Sequence, residues 1–326
     1  MNLLSYVHVK PEYFAIFANK KDKLKMNKIA IVLGNGFDLD LGLFTKYSDF
    51  ANPRNREWND YCVMRGTIIK KILRTELIDH MDYARKYENW FDIEEELFKF
   101  VKSHANPTSA QIGLIRSQYD ALVEGLRMYI CRVAVPKNKK EGSLAEAILN
   151  KLNSIPNPVV LYTFNYTDCF GICGIERKEN IRMTHIHGSL SYEMQLGCRA
   201  YDGSPNNMQL AFMYKDTCYL QKEILRQNLS TATEVIIFGH SLNQMDFCYF
   251  EDFFGDIQSG KQTCEHLTII CKDVKSEESI RQNLNKNVCI PEVERHVEMN
   301  FIYTDLWNSG DTTTLKAYED FCKRIG

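Results

Sequence analysis

Apolar residues along this chain gather in two kinds of run. The first kind is short and rich in β-branched residues: KIAIVL at 28–33, PVVLYTF at 158–164, IRMTHI at 181–186, TEVIIF at 233–238, HLTIIC at 266–271 and VEMNFIY at 297–303. Near-continuous apolar runs of this length predict strands covered on both faces, as in a parallel sheet. In the second kind, apolar positions recur at helical spacing. Residues 59–75 carry Tyr61, Ile68, Ile69, Ile72 and Leu73, and residues 88–103 carry Trp90, Ile93, Leu97, Phe98 and Val101. Residues 109–133 read as one long helix, with Ile112, Ile115, Tyr119, Leu122, Val123, Leu126 and Ile130 on its face. Pro136 and the polar KNKKEG end it. Further helices are predicted at 143–153, 217–229, 244–258, 276–286 and 312–324. Strands alternating with helices predict an α/β fold, a Rossmann-like parallel sheet flanked by helices. The nearly all-helical block at about 55–153 interrupts that alternation and reads as an inserted helical subdomain.

Composition narrows the function classes. The 326 residues are 44% hydrophobic and 25% charged, with a net charge of −2, so no global basic surplus favours nucleic acid. The 11 cysteines are odd in number and form no C-x-x-C pair; Cys169 and Cys173 have no second pair to complete a zinc site. They read as reduced thiols, which implies a reducing compartment and a cytoplasmic location. Near the start, LLSYVHV and FAIFA are too short and interrupted for a signal peptide or a membrane span. KKDKLK at 20–25 is a solvated charge run, and Met26 immediately precedes the first strand. Residues 1–25 therefore read as an N-terminal extension, and 26–326 as the α/β domain.

Chemistry concentrates where predicted strands end. In LGNGFDLDLGL at 33–43, Gly34-Asn35-Gly36 permits a tight turn and close approach of a phosphate to the backbone, with Asp38 just beyond. Leu39 stands where a dinucleotide fingerprint wants its third glycine, and no Gly-Lys-Ser/Thr follows, so neither a dehydrogenase loop nor a P-loop is expected. TFNYTD at 163–168 places Asn165 after the second strand, suited to hold a hydroxyl or water, or equally to cap a turn. In THIHGSL at 184–190, His185 and His187 alternate along an extended chain without a third ligand at metal spacing. His187 precedes a glycine turn, where a histidine can act as general base or serve the structure. IFGHSLNQMDFCYF at 237–250 offers Gly239, Ser241 and Asp246, suited to phosphate or ribose, or to a capped helix. Four such loops in succession would gather along one edge of the sheet. WFDIEEEL at 90–97 crowds Asp92, Glu94, Glu95 and Glu96 on one helix. The simplest reading is a solvated acidic face at a helix start; the alternative is a set of carboxylates lining the cleft beneath the insertion.

Taken in order, LGNGFDLDLGLFTKYSDF, WFDIEEEL, NYTD, HIHGSL and FGHSLNQMDFCYF resemble the AbiH family of bacterial abortive-infection, anti-phage proteins, over most of the chain from residue 28 onward. Phe44 stands where that family usually has proline. The same pattern is distantly similar to sirtuin-like domains. Gly34, Gly36 and Gly42-Leu43 match the Gly-x-Gly loop and the turn after it; Thr163 and Asn165 match Thr-x-Asn; His187-Gly188 matches His-Gly; Gly239 and Ser241 match Gly-x-Ser. The carboxylate usually two places after the asparagine is Thr167 here, with Asp168 next to it, and the four-cysteine zinc module is missing. The resemblance implies NAD as substrate or ligand, no zinc, and hydrolysis of the nicotinamide–ribose bond rather than peptide deacylation. It implies that Asn165 positions water and His187 acts as base, with the nucleotide held by Gly34, Asn35, Gly36, Asp38, Thr163, Asp168, Gly239, Ser241 and Asp246. A metal-dependent nuclease using the acidic helix and a non-catalytic nucleotide sensor acting through a partner are the rival expectations. A phage-derived trigger and a homo-oligomer are compatible with each, and no membrane partner is expected.

Overall fold

The computed structural model describes residues 28–63, 77–87, 92–104, 106–135, 139–199, 204–215, 219–261 and 263–326. The expectations for residues 1–25, for Ile68, Ile69, Ile72 and Leu73, and for Trp90 lie outside the described residues. Six strands, β1 (Ile29–Leu33), β2 (Val159–Thr163), β3 (Ile181–His185), β4 (Glu234–Phe238), β5 (His266–Cys271) and β6 (Glu298–Tyr303), form one sheet. Their order is β3-β2-β1-β4-β5-β6, and each neighbouring pair is parallel. The fold is thus the Rossmann-like parallel sheet that the apolar runs predict.

Strand periodicity explains how the sheet is covered. Ile29, Ile31 and Leu33 point to one face, where they pack with Leu144, Ile148, Leu149 and Leu152 of α7 (Leu144–Ser154) and with Phe321 and Ile325 of α14 (Thr312–Ile325). Phe37 of α1 (Asn35–Asp40) joins that face. Ala30 and Val32 point the other way, into a core shared with Leu225 and Leu229 of α9 (Tyr219–Thr231) and Phe253, Phe254 and Ile257 of α10 (Glu251–Gln258). Ile280 and Leu284 of α11 (Val274–Asn285) and Val293 of α12 (Ile290–His296) extend it. Every residue of β1 and β4 is buried, as strands at the centre of a two-sided sheet must be. The short helices α8 (Cys169–Cys173) and α13 (Thr304–Asn308) follow β2 and β6.

Between β1 and β2 the described elements after α1 are all helical: α2 (Tyr47–Phe50), α3 (Arg56–Val63), α4 (Leu77–Tyr87), α5 (Ile93–Ser103) and α6 (Ser109–Tyr129), then α7. α6 starts on a capping box made by Thr108 and Gln111, and continues through a π-helical turn at Ile130–Ala134. α2 to α6 enclose a separate core around Phe50, Trp58, Met81, Leu97, Phe100 and Leu122. Met194, Leu196, Cys198, Leu210 and Met213, from the irregular chain after β3, complete that core. The inserted block therefore borrows a distant segment, which carries Lys215 with it. Phe44 N–H donates to Ala134 O at 3.1 Å, a bond that proline at this position could not make. Among the described residues, no helix is long and apolar enough to cross a membrane.

Candidate active site

Strand register sets the site. Leu33 lies level with Thr163 and with Phe238, and Thr163 with His185, so the loops after β1, β2, β3 and β4 leave the sheet along one edge. The chain turns to opposite sides of the sheet between β1 and β4, and parallel sheets open a crevice at such a reversal. Here the crevice is a cleft of about 750 Å³ whose lining includes Gly34–Gly36, Asp38, Asn165, His187, Lys215, Gly239, Ser241 and Asp246. Asp92, Glu94 and Glu95 of the helical block close it from above, with Tyr47 beside them. That volume suits a nucleotide-sized ligand.

The two glycines of the first loop have a structural role in the crossing of two loops. Gly34 N–H donates to Phe238 O and Gly36 N–H to Gly239 O, each at 2.9 Å. A Cβ on Gly34 would stand 2.6 Å from His240 Cα, and one on Gly36 would stand 2.6 Å from Gly239 Cα. Gly239 itself adopts φ 66°. Glycine is required because the β1 and β4 loops cross backbone against backbone. With those amides engaged, the loop offers a ligand the Asn35 N–H, from which no described residue accepts, and the exposed Ser241.

Asn165 ties this crossing to β2. Its Nδ2 donates to Gly34 O at 3.0 Å and to Asp38 Oδ1 at 2.9 Å. Two acceptors fix the amide orientation, so Oδ1 is left as an acceptor without a partner among the described residues. Asp38 also accepts from Thr167 Oγ1 at 2.7 Å. Burial pushes the Asp38 carboxyl up to about 7, against the lowering effect of the Thr167 and Asn165 bonds. Thr163 and Asp168 stand outside the cleft lining. The Thr163 hydroxyl accepts from Asn165 N–H at 3.0 Å, bracing the turn, and exposed Asp168 opens α8 with its carboxylate against Gly171. Thr167, between them, lines the cleft and faces Asp38.

His187 is 3% exposed, and neither ring nitrogen has a hydrogen-bond partner among the described residues. Asp246 stands beside it, with Nε2 3.5 Å from Oδ1, too long for a strong bond. Phe164 and Tyr249 present ring edges to it. His185 does not join it: Nδ1 of His185 lies 3.0 Å from Asn165 O. No group of three or more metal-ligating side chains among the described residues is placed to hold an ion.

Asp246 is the hub of a buried charge cluster. Lys215, 3% exposed, donates to Asp246 Oδ1 at 3.0 Å and to Glu94 Oε2 at 2.5 Å. His240 Nε2 lies 3.7 Å from Asp246 Oδ2, while its Nδ1 accepts from Leu242 N–H at 3.0 Å, which assigns the proton to Nε2. Leu242 holds φ 51° in this loop with its side chain fully buried. Burial is the largest single effect on the Asp246 carboxyl and raises it, but the Lys215 ammonium together with His187 and His240 outweighs it and holds the group well below the usual carboxylate range. Burial lowers Lys215, but Asp246 and Glu94 outweigh that and keep it cationic. Burial, with Asp246 and Asp92 nearby, pushes Glu94 up to about 7. Burial and the Lys215 charge lower His187, and burial takes His240 down to about 4. At neutral pH the cleft thus holds two uncharged imidazoles beside an ionised carboxylate.

The solvated acidic face expected at 92–96 is corrected. Asp92 caps α5 by accepting from Glu94 N–H at 2.9 Å, and Glu94 and Glu96 are buried while Glu95 is exposed. Glu96 meets Lys99 Nζ at 2.7 Å inside the helical block, whereas Glu94 reaches the cleft. The ammonium of Lys215 stands between Glu94 and Asp246, where a divalent ion bridging those carboxylates would have to sit. Lys215 and His240 are the residues that sequence reasoning missed. The one hint to Lys215 was a single cation closing the apolar run LAFMYK.

Comparison with known proteins adds three findings. No curated protein matches the chain. Among solved structures, one described as "Structural Basis for the Mechanism and Regulation of Sir2 Enzymes" is 12% identical, with 83% of this chain and 93% of that chain covered and a TM-score of 0.33. Another, "The Structural basis of Sirtuin Substrate Affinity", is 13% identical, covers 92% of this chain and 93% of that chain, and has the same TM-score of 0.33. Likeness at that level carries no argument, and the fold assignment stands on the strand order and register described above. The family model for bacteriophage abortive infection AbiH matches residues 30–266, a span that takes in β1, the helical block, the Lys215 segment and the β4 loop. With well over half of its length matched, the chain belongs to the AbiH family.

Proposed function

We propose that this chain is an abortive-infection effector that binds NAD in the cleft and hydrolyses its nicotinamide–ribose bond. The family's description supports the anti-phage role. The observation that carries the chemistry is His187: buried, uncharged, with Nδ1 lacking a hydrogen-bond partner among the described residues and Nε2 only at 3.5 Å from Asp246, on the wall of a nucleotide-sized cleft that also holds the free Oδ1 of Asn165. The bond between ribose C1′ and the pyridinium nitrogen breaks with its electron pair passing to nitrogen, so nicotinamide leaves neutral and needs no acid. Positive charge develops on the ribosyl group, near the carboxylates of Asp246 and Glu94. Water accepted by Asn165 Oδ1 attacks C1′, and His187 takes its proton. The products are nicotinamide, ADP-ribose and a proton.

The cell-level test is metabolite profiling of cells expressing the chain, before and during phage infection. A selective fall in NAD with a matching rise in ADP-ribose supports the reading. Stable NAD with degraded RNA contradicts it and favours a nuclease.

A further inference from the structure

We propose that Lys215 is a positioning residue for His187: by bridging Asp246 and Glu94 it keeps Asp246 from forming an ion pair with the imidazole and leaves that ring uncharged at the cleft wall. The inference rests on the reading of His187 as the base. Asp246 Oδ1 lies close to two donors, Lys215 Nζ at 3.0 Å and His187 Nε2 at 3.5 Å, and the ammonium is the nearer. Asp246 comes from the loop after β4, Lys215 from the segment after β3, and Glu94 from α5, so one side chain joins three separate parts of the chain. The other charged or titratable groups near His187 include His240, which shares Asp246, Asp92, behind Glu94, and Tyr249, whose ring packs against the imidazole. The ring of Phe164 also packs against the imidazole.

Removing the ammonium reverses the competition. Asp246 then has only imidazoles to pair with, and an imidazole beside an unpaired buried carboxylate takes up a proton. A base that is protonated before catalysis cannot accept a proton from water. Arginine keeps the charge and retains donors for both carboxylates.

The test is histidine NMR on the whole protein, with ¹³C/¹⁵N-labelled histidine and the His187 signal assigned from His187→Gln. In the native chain, and in Lys215→Arg, His187 titrates below the ordinary imidazole range. In Lys215→Met its titration moves up by at least about one pH unit. Lys215→Met leaves two buried carboxylates unpaired and can fail to fold; the double variant Lys215→Met, Glu94→Gln removes one of them and keeps Asp246 beside His187. The same upward shift is expected there. An unshifted His187 titration in whichever of these variants folds overturns the proposal, as does Lys215→Arg behaving like the methionine variant. The titration is read without NAD, so a chain that leaves NAD intact while showing the shift sinks the hydrolase reading and leaves Lys215 in its role. Where NAD is cleaved, the acid limb of the rate profile moves to higher pH in Lys215→Met and returns in Lys215→Arg.

Discussion

Asn165 changes meaning once its partners are known. Its two amide hydrogens are engaged by Gly34 O and Asp38, so it locks the β1 loop to β2 as well as presenting an acceptor to the cleft. Asn165→Asp puts a second carboxylate against Asp38 and removes both donors. We expect a loss of about 2–4 kcal/mol, larger at pH 8 than at pH 5.5, measured by urea unfolding at the two pH values. Asp38 makes its own pH prediction. Its folded value near 7 lies above its ordinary 3.8, so it favours the folded state fully below about pH 4, and that advantage is lost as pH rises through 7. The native chain should therefore lose up to about 4 kcal/mol from this group over that window, and Asp38→Asn should flatten that part of the stability–pH curve. Identical pH profiles for the two proteins would contradict the assignment. Asn165 and His187 were legible as candidates because each follows a strand. Lys215 was not, because its partners lie 121 and 31 residues away and no local pattern joins them.

At the scale of elements, β1 and β4 were visible because centrally placed parallel strands read as unbroken apolar runs ending at glycine. What the sequence could not show is that those terminal glycines face each other. Gly36→Ala drives a Cβ to within 2.6 Å of Gly239 Cα and should cost about 1–3 kcal/mol or more, seen as a lower melting temperature. Gly113 in α6 provides the contrast: nothing lies within 4 Å of its added Cβ, so Gly113→Ala should stabilise the protein by about 0.5–1 kcal/mol in the same measurement. Equal effects at the two positions would remove the loop-crossing argument. The acidic helix divides between a solvated face and a cleft lining for a related reason. Helical spacing puts Asp92, Glu95 and Glu96 near one another, but burial depends on the partner surface, and α5 turns Glu94 and Glu96 inward.

Across the whole molecule, the cleft is shared between two cores. The sheet supplies the β1, β2, β3 and β4 loops, the helical block supplies Glu94, and the chain after β3 supplies Lys215 while filling the helical core with Met194, Leu196 and Met213. Alternating strands and helices announced the sheet; the dependence of the helical block on its partners at 194–198 and 210–213 had no periodic signal, since they come from a strand-free stretch and from the end of a 3-10 helix at Ser204–Met213. The central claim is NAD hydrolysis in this cleft, and the most direct measurement is release of nicotinamide and ADP-ribose from NAD by the purified chain, with and without extract from phage-infected cells. Equal amounts of the two products are expected from the native chain, and a rate about 10²–10⁴-fold lower from folded His187→Ala. NAD left intact by the native chain under both conditions, or turnover by His187→Ala at the native rate, would contradict it.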